Sequence, residues 1–390
     1  MSTRQLLLLL AGLGLLFALS LCGHHATVRA AGEDARIRTW YLSSYQQEQS
    51  KNYAAAITSL TDVPDSYLLE LRLGWLYYLK GSYSSAITHY QAAIKREPDS
   101  IEARLGYLLP LLALGKHQDV HTVARFVLAI DGENYLANLR LAYSLRMNMK
   151  NDQALDILGR MAKRYPTDTS VLIEQALNYT AMNQRETALP LYNQVLLLDQ
   201  SNTIAKPYAD NTGVTQRKCY YSSYSSEQTR DYATALTAIA NLPKGYLVEL
   251  RRGWLCYLKG DYVEAVAHYR TSIELSPDSL EAKNGCLLPM LAAQDYPAAV
   301  TLAESVLASD KYNYLANLRL AVALRLHKDT ARASAIVNHM VQLYPTDVSL
   351  LTEQGQDAQL NGKHDTALQI FNQILLLDPT NATAKTQLGN

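Results

Sequence analysis

A long internal repeat constrains this chain more than any other feature of its sequence. The nine residues Asn134–Ala142 recur without change as Asn313–Ala321, 179 positions later. The same offset relates Tyr165–Asp168 to Tyr344–Asp347. Because the copies align without a gap, the chain is expected to contain two similar units in tandem.

Each copy has a shorter period of about 34 residues, as the segment Tyr67–Ser100 illustrates. Ala86 and Tyr90 lie four positions apart and share one face of a helix. Gly81 suits the turn that precedes this helix, and Pro98 lies where the helix must end. The spacing predicts a pair of antiparallel helices in each period.

This pattern resembles the tetratricopeptide-repeat family, in which small and aromatic residues and a closing proline recur in every helical hairpin. The resemblance implies an all-α fold, a right-handed α-solenoid of about ten hairpins in two duplicated five-hairpin halves. It also implies a binding role without catalysis. The matching residues of other repeats are Ala154, Pro166, Ala188, Tyr192, Ala265, Tyr269, Pro277, Ala367 and Pro379.

The repeat pattern also predicts boundaries along the chain. Pro207 and Gly213 lie in a stretch without the pattern, which indicates a bend between two arrays. The final ten residues begin like another first helix and then stop, as a capping helix would. The predicted segments are a signal peptide (1–30), a first array (31–202), a junction (203–215) and a second array with its cap (216–390).

The N-terminal segment has the features of an export signal. Arg4 precedes the apolar run Leu6–Leu21, and Val28–Ala30 suits cleavage before Ala31. The run has 16 residues and is shorter than a membrane-spanning helix. We therefore expect a periplasmic or secreted bacterial protein with no membrane span after cleavage. A lipoprotein anchored through Cys22 is the less favoured alternative, because no small residue stands directly before it.

Composition and motifs argue against several classes of function. The 36 basic and 36 acidic residues balance, so the sequence lacks the positive field that nucleic-acid binding requires. It carries no motif for a catalytic site or a cofactor. His117 and His121 have the spacing of a helical metal pair, but a solvated helix face is favoured and no metal site is expected. Whether Cys256 and Cys286, on neighbouring repeats, form a disulfide stays open.

In the family that this chain resembles, the first helix of each hairpin lines a concave groove. Carried over to this sequence, the groove would be apolar and aromatic with isolated arginine residues, which suits a partner segment. Burial of this face inside a tightly wound superhelix is the alternative. The groove positions are Leu71, Trp75, Tyr78, Leu105, Leu109, Leu139, Tyr143 and Arg146, and in the second copy Leu250, Trp254, Tyr257, Leu288, Leu318 and Arg325.

Tyrosine is unusually frequent, with 27 Tyr against 3 Phe. Most tyrosine residues suit the half-buried aromatic positions of the hairpins. Five others open the two copies, namely Tyr41, Tyr45, Tyr220, Tyr221 and Tyr224. Because tyrosine is common at binding surfaces, these rings could bind a partner or pack the ends of the arrays, and the sequence does not decide between the two.

These observations favour a non-catalytic interaction scaffold of the bacterial cell envelope that binds a protein or peptide segment. An accessory of envelope polysaccharide synthesis or export is the main alternative, because aromatic faces also stack on sugar rings. In that case the partner would be a glycan or the export machinery.

Overall fold

A computed structural model describes residues 35–389 of the 390-residue chain. The described residues form 21 α-helices and no β-strand. The expected signal peptide, residues 1–30, and Cys22 lie outside the described residues. The helices are α1 (35–49), α2 (Tyr53–Thr58), α3 (Tyr67–Leu79), α4 (Tyr83–Arg96), α5 (Ile101–Ala113), α6 (His117–Ile130), α7 (Tyr135–Met147), α8 (Asn151–Arg164), α9 (Thr169–Ala181), α10 (Arg185–Leu198), α11 (Val214–Gln228), α12 (Tyr232–Ala238), α13 (Tyr246–Lys259), α14 (Tyr262–Leu275), α15 (Leu280–Ala292), α16 (Tyr296–Leu307), α17 (Tyr314–Leu326), α18 (Thr330–Leu343), α19 (Val348–Leu360), α20 (His364–Leu377) and α21 (Ala382–Gln387).

Consecutive helices pack against each other along the described chain, and each helix contacts mainly the helices before and after it. Helices within one hairpin, such as α3 with α4 and α13 with α14, make the most extensive contacts. This arrangement confirms the predicted all-α solenoid of helical hairpins.

Glycine residues let three helices meet on one tyrosine ring. Tyr90 of α4 is 2 % exposed, and its ring lies against Gly74 of α3 and Gly106 of α5. A Cβ atom at Gly74 would lie 3.0 Å from the ring, and one at Gly106 would overlap it. The packing therefore has no room for a side chain at either position. The second copy repeats this arrangement with Tyr269, Gly253 and Gly285.

Between Leu198 and Val214 the chain forms turns and bends rather than a helix. This segment packs against the end of the first array. Ala205 is fully buried, and the ring of Tyr208 stacks on the ring of Tyr192 with their centroids 4.8 Å apart. The connection between the arrays is thus held against α10.

Each array ends against the beginning of the other. Leu197 of α10 packs against the cluster that contains buried Tyr220 of α11. Leu376 of α20 packs in the same way against the cluster that contains buried Tyr41 of α1. Both pairs follow the 179-residue offset. The end of the chain therefore packs on its beginning, and the array of hairpins closes on itself.

The two copies also contact each other through a reciprocal pair of hydrogen bonds. The backbone N–H of Thr167 donates to Glu281 at 3.1 Å, and the backbone N–H of Thr346 donates to Glu102 at 3.2 Å. Thr167 and Thr346 are equivalent, as are Glu102 and Glu281. Such reciprocity is typical of contacts across a two-fold axis. The two copies thus face each other like the subunits of a dimer.

Burial raises the pKa of Glu281 to about 7.

The cysteine residues of the described chain, Cys219, Cys256 and Cys286, are free thiols in this structure. Cys286 of α15 is fully buried in an apolar cluster, and burial raises the pKa of its thiol to about 12. A thiol of this kind is unreactive and packs as a small apolar side chain.

Candidate functional site

The first helices of four successive hairpins line a groove in the first copy, here called the first groove. Its volume is about 480 Å³. The walls come from α3, α5, α7 and α9, and the segment between the two arrays contributes one residue. Most of the lining is apolar or aromatic. The lining residues are Tyr78, Leu109, Leu112, Ala113, Leu139, Arg140, Tyr143, Ser170, Ile173, Glu174 and Ile204.

Four of the predicted groove residues line the first groove, and Arg146 stands beside it. The guanidinium of Arg146 donates to both carboxylate oxygens of Glu174, at 2.8 and 3.1 Å, and lies 5.2 Å from the ring centre of Tyr143. A paired charge of this kind fixes the positions of both side chains. The four predicted residues in the lining are Tyr78, Leu109, Leu139 and Tyr143. In the second copy Arg325 pairs with Glu353 at 2.7 and 3.2 Å.

Trp75, predicted as a groove residue, is absent from the lining of the first groove. Its indole Nε1 donates to Glu48 of α1 at 2.7 Å, and its ring centre lies 5.8 Å from that of Tyr78. Glu48 also forms an ion pair with buried Arg72. Trp75 therefore joins the first two hairpins. Trp254, Glu227, Tyr257 and Arg251 repeat these contacts in the second copy.

Four of the five tyrosine residues that open the two copies are buried or half-buried. Tyr41 and Tyr220 are each 1 % exposed, so of the two alternatives that the sequence left open, their burial favours packing over contact with a partner. The apolar residues around each ring account for the burial, which also raises the pKa of both phenols. Tyr45 and Tyr224 are half-buried, each beneath a buried arginine.

The arginine residues that cover these rings are the same ones that bind the glutamates of α1 and α11. The guanidinium of Arg72 lies 4.0 Å from the ring centre of Tyr45, and that of Arg251 lies 4.1 Å from the ring centre of Tyr224. A cation over an aromatic face is attracted by the ring. Tyr221 differs from its neighbours because it is 58 % exposed.

Residues 35–389 contain no group of three or more His, Cys, Asp or Glu side chains that could hold a metal ion. His117 of the suspected pair has a ring Nδ1 that lies 3.0 Å from the hydroxyl of Ser144. Burial, followed by nearby positive charges, lowers the pKa of His121. In the same part of the chain, no helix combines the length and apolar character that a membrane crossing requires.

A second cavity, about 380 Å³ in volume, lies where the two copies meet and is here called the central cavity. Sequence reasoning missed it. The available signal was the strict identity of Asn134–Ala142 with Asn313–Ala321, because both segments begin at this cavity. Its lining residues are Leu105, Asp131, Glu133, Asn134, Tyr135, Leu136, Tyr165, Asn284, Asp310, Tyr312, Asn313, Tyr314, Leu315, Tyr344 and Asp347.

Among curated proteins, the human protein O-mannosyl-transferase TMTC1 is 24 % identical to this chain over 252 residues. The match covers 64 % of this chain but only 22 % of TMTC1, so the chain spans about a fifth of that relative.

Several solved structures are similar to the chain. The APC/C hetero-tetramer Cut9-Hcn1 matches at 14 % identity, with a TM-score of 0.40, over 90 % of this chain and 82 % of that one. A tetratricopeptide repeat protein from Parabacteroides merdae matches at 16 % identity, with a TM-score of 0.34, over 83 % and 97 %. MamA matches at 20 % identity, with a TM-score of 0.36, over 45 % and 97 %.

Family models described as Tetratricopeptide repeat match several segments of the chain. The matched residues are 69–100, 136–168, 250–279 and 290–352. These segments coincide with the hairpins α3/α4, α7/α8 and α13/α14 and with the helices from the end of α15 into α19. Both copies therefore contain recognisable repeats.

Proposed function

We propose that this chain, which belongs to the tetratricopeptide-repeat family, is a non-catalytic protein-interaction scaffold that binds a partner segment in its first groove. The observation that carries the proposal is the apolar lining of this groove, built by α3, α5, α7 and α9. Repeat proteins of this kind bind partners on extended concave surfaces of their stacked hairpins.

The chemistry of the groove indicates what kind of segment fits it. Leu109, Leu112 and Leu139 offer apolar contacts, and the ring of Tyr143 offers a large contact area with few torsions to immobilise. Arg140 adds a positive charge to the wall, and its guanidinium donates to the backbone oxygen of Leu105. A peptide with several apolar side chains and one carboxylate complements this surface.

The second copy supplies substitutions for the test. Val322 and Thr352 are equivalent to Tyr143 and Ile173. Peptides selected from a displayed library on the wild-type chain should bind a Tyr143→Val, Ile173→Thr variant at least about tenfold more weakly by fluorescence anisotropy, because an aromatic anchor and apolar area are lost. Equal binding to both proteins would refute the first groove as the site.

A matched control changes the second copy instead. Trp254→Phe removes the indole N–H that donates to Glu227. Because Trp254 lies in the second copy, this substitution should leave peptide affinity unchanged. Glycans tested on an array with the same two proteins distinguish the alternative function. Selective binding of a glycan, lost on changing the groove, would favour an accessory of polysaccharide synthesis or export.

We further propose that the scaffold acts in the bacterial envelope after export. The support is the sequence of the N-terminal segment, where Arg4 precedes the apolar run Leu6–Leu21 and Val28–Ala30 follows. Mass spectrometry of the protein isolated from its own cells should find a mature N-terminus near Ala31. An acylated Cys22 or an uncleaved N-terminus would contradict this proposal.

A further inference from the structure

The central cavity carries an excess of negative charge. Asp131 and Asp310 are each 4 % exposed, and Glu133 and Asp347 also contribute to the lining. Two cations lie nearby. Arg164 lies 3.3 Å from a carboxylate oxygen of Asp310 and 3.4 Å from one of Glu133, and the Nζ of Lys311 lies 5.1 Å from the ring centre of Tyr312. Leu343 takes the place of Arg164 in the second copy, so Asp131 lacks the equivalent ion pair. The four carboxylates therefore outnumber these two cations.

One residue of this lining, Asn284, also has an unused hydrogen-bond acceptor. Asn284 is 5 % exposed, and its Nδ2 donates to the Oδ1 of Asn313 at 3.2 Å. Its own Oδ1 is buried and has no partner among the described residues. A buried acceptor without a donor costs free energy, so a ligand that brings a donor is favoured here. The equivalent residue in the first copy is Leu105, which shows that packing alone does not require an amide at this position.

Aromatic rings form much of the remaining lining. Tyr135 packs edge-to-face on Tyr165 with ring centres 5.2 Å apart, and Tyr314 packs in the same way on Tyr344 at 5.7 Å. Tyrosine faces carry partial negative charge and attract cations. The rings and the carboxylates therefore both favour a positively charged ligand.

The helix N-termini at the cavity carry positive partial charge, which disfavours a cation, but this effect is weaker than that of the carboxylates. Helices α7 and α17 begin here, capped by Asn134 and Asn313, and each terminus carries a partial charge of about +0.5. Together they offset about one of the carboxylate charges. The cavity opens to solvent beside Leu136 and Leu315, which are 39 % and 40 % exposed. A small cation from solution can therefore enter.

We propose that the central cavity binds a small organic cation that carries N–H donors, of the alkylammonium class. One ammonium group donates to Asn284 Oδ1 and to the carboxylate of Asp131, and its alkyl chain packs between the tyrosine rings. A volume of about 380 Å³ accommodates a short linear diamine. This site is independent of the first groove.

Putrescine, a four-carbon diamine, is the probe for isothermal titration calorimetry on the full chain. Replacing Asn284 with Leu, the residue of the first copy, removes the unused acceptor and should weaken putrescine binding about tenfold or more, because a hydrogen bond to a charged donor is lost. The variant should fold, because the equivalent site already holds Leu105. Undetectable binding of putrescine to the wild-type chain at about 10 mM would overturn the proposal.

Three controls locate and define the site. Tyr143→Val, in the first groove, should leave putrescine binding unchanged, and a loss there would overturn the central location. Tetramethylammonium carries no N–H donor, so it should bind more weakly than putrescine and should bind the Asn284→Leu variant and the wild-type chain equally. Phosphate should not compete with putrescine. Competition by phosphate, or equal binding of putrescine to the wild-type chain and to Asn284→Leu, would likewise overturn the proposal.

Discussion

The first groove and the equivalent surface of the second copy differ in their side chains, although the helices around them correspond. Tyr143 and Ile173 of the first groove are replaced by Val322 and Thr352. Several ion pairs and hydrogen bonds between helices have been kept in both copies. The retained pairs include Arg72–Glu48 and Arg251–Glu227, Trp75–Glu48 and Trp254–Glu227, His89–Glu70 and His268–Glu249, and Arg146–Glu174 and Arg325–Glu353.

This difference separates the scaffold of the protein from its binding surfaces. A change to one partner of a buried pair leaves the other partner unsatisfied, which costs free energy in either copy. The side chains of Tyr143 and Ile173 form no ion pair or hydrogen bond within the described residues, so a groove side chain of this kind has no such constraint. It can therefore change after duplication without loss of the fold.

The largest effect is expected where a retained contact is broken. Trp75→Ala should lower the free energy of unfolding by about 3 kcal/mol, because a large half-buried ring is removed and Glu48 loses a donor. Trp254→Ala should cost a similar amount if the two copies share one scaffold. Urea unfolding followed by circular dichroism measures both. If stability were unchanged and peptide binding were lost, these tryptophan residues would belong to the binding surface and the prediction would be wrong.

A pH-dependent effect is expected at the contact between the copies. Burial raises the pKa of Glu281 to about 7 from its ordinary value of 4.5, so the folded state binds this proton more tightly than the unfolded state. The contribution of Glu281 to the free energy of unfolding is therefore fully present below about pH 4.5. It is lost as pH rises through about 7, and the loss is on the order of 2 kcal/mol. Thermal melts of the wild-type chain and Glu281→Gln should differ in this window, and parallel pH profiles would contradict the assignment.

A smaller effect is expected from filling the space that a glycine leaves free. Gly106→Ala places a Cβ atom into the ring of Tyr90 and should destabilise the chain by about 1 to 2 kcal/mol, despite the better helix propensity of alanine. Gly159 of α8 has no atom near its Cβ position. Gly159→Ala should thus stabilise the chain slightly. If both substitutions changed the free energy of unfolding in the same direction, the packing of Gly106 on Tyr90 would not be tight.

The smallest effect on stability is expected in the first groove itself. Tyr143→Val should change the free energy of unfolding by less than about 1 kcal/mol, because the equivalent position already carries Val322 and surface changes are usually mild. Chemical denaturation measures this change. If Tyr143→Val lowered the free energy of unfolding as much as Trp75→Ala does, Tyr143 would be part of the scaffold. The proposed difference between groove and scaffold residues would then be wrong.

Several groove residues could be predicted from the sequence because the repeat register is local. Tyr78, Leu109, Leu139 and Tyr143 line the first groove as the resemblance implied. Their role in binding a partner stays a prediction. Trp75 shares the same helix face, but Glu48 of the preceding hairpin takes its indole N–H. Helical spacing gives the direction of a side chain and does not give its partner on another helix.

The sequence by itself determined the helical hairpins, the tyrosine and glycine residues that pack them and the duplication. These features depend on residues within one or two neighbouring repeats, whose spacing is visible in the chain. The tertiary structure alone decided that Leu376 packs against the cluster that contains Tyr41 and that Thr346 donates to Glu102. These contacts create the central cavity. Closure depends on small rotations between hairpins summed over the whole array. No single residue encodes that sum, so the sequence pattern could not predict it.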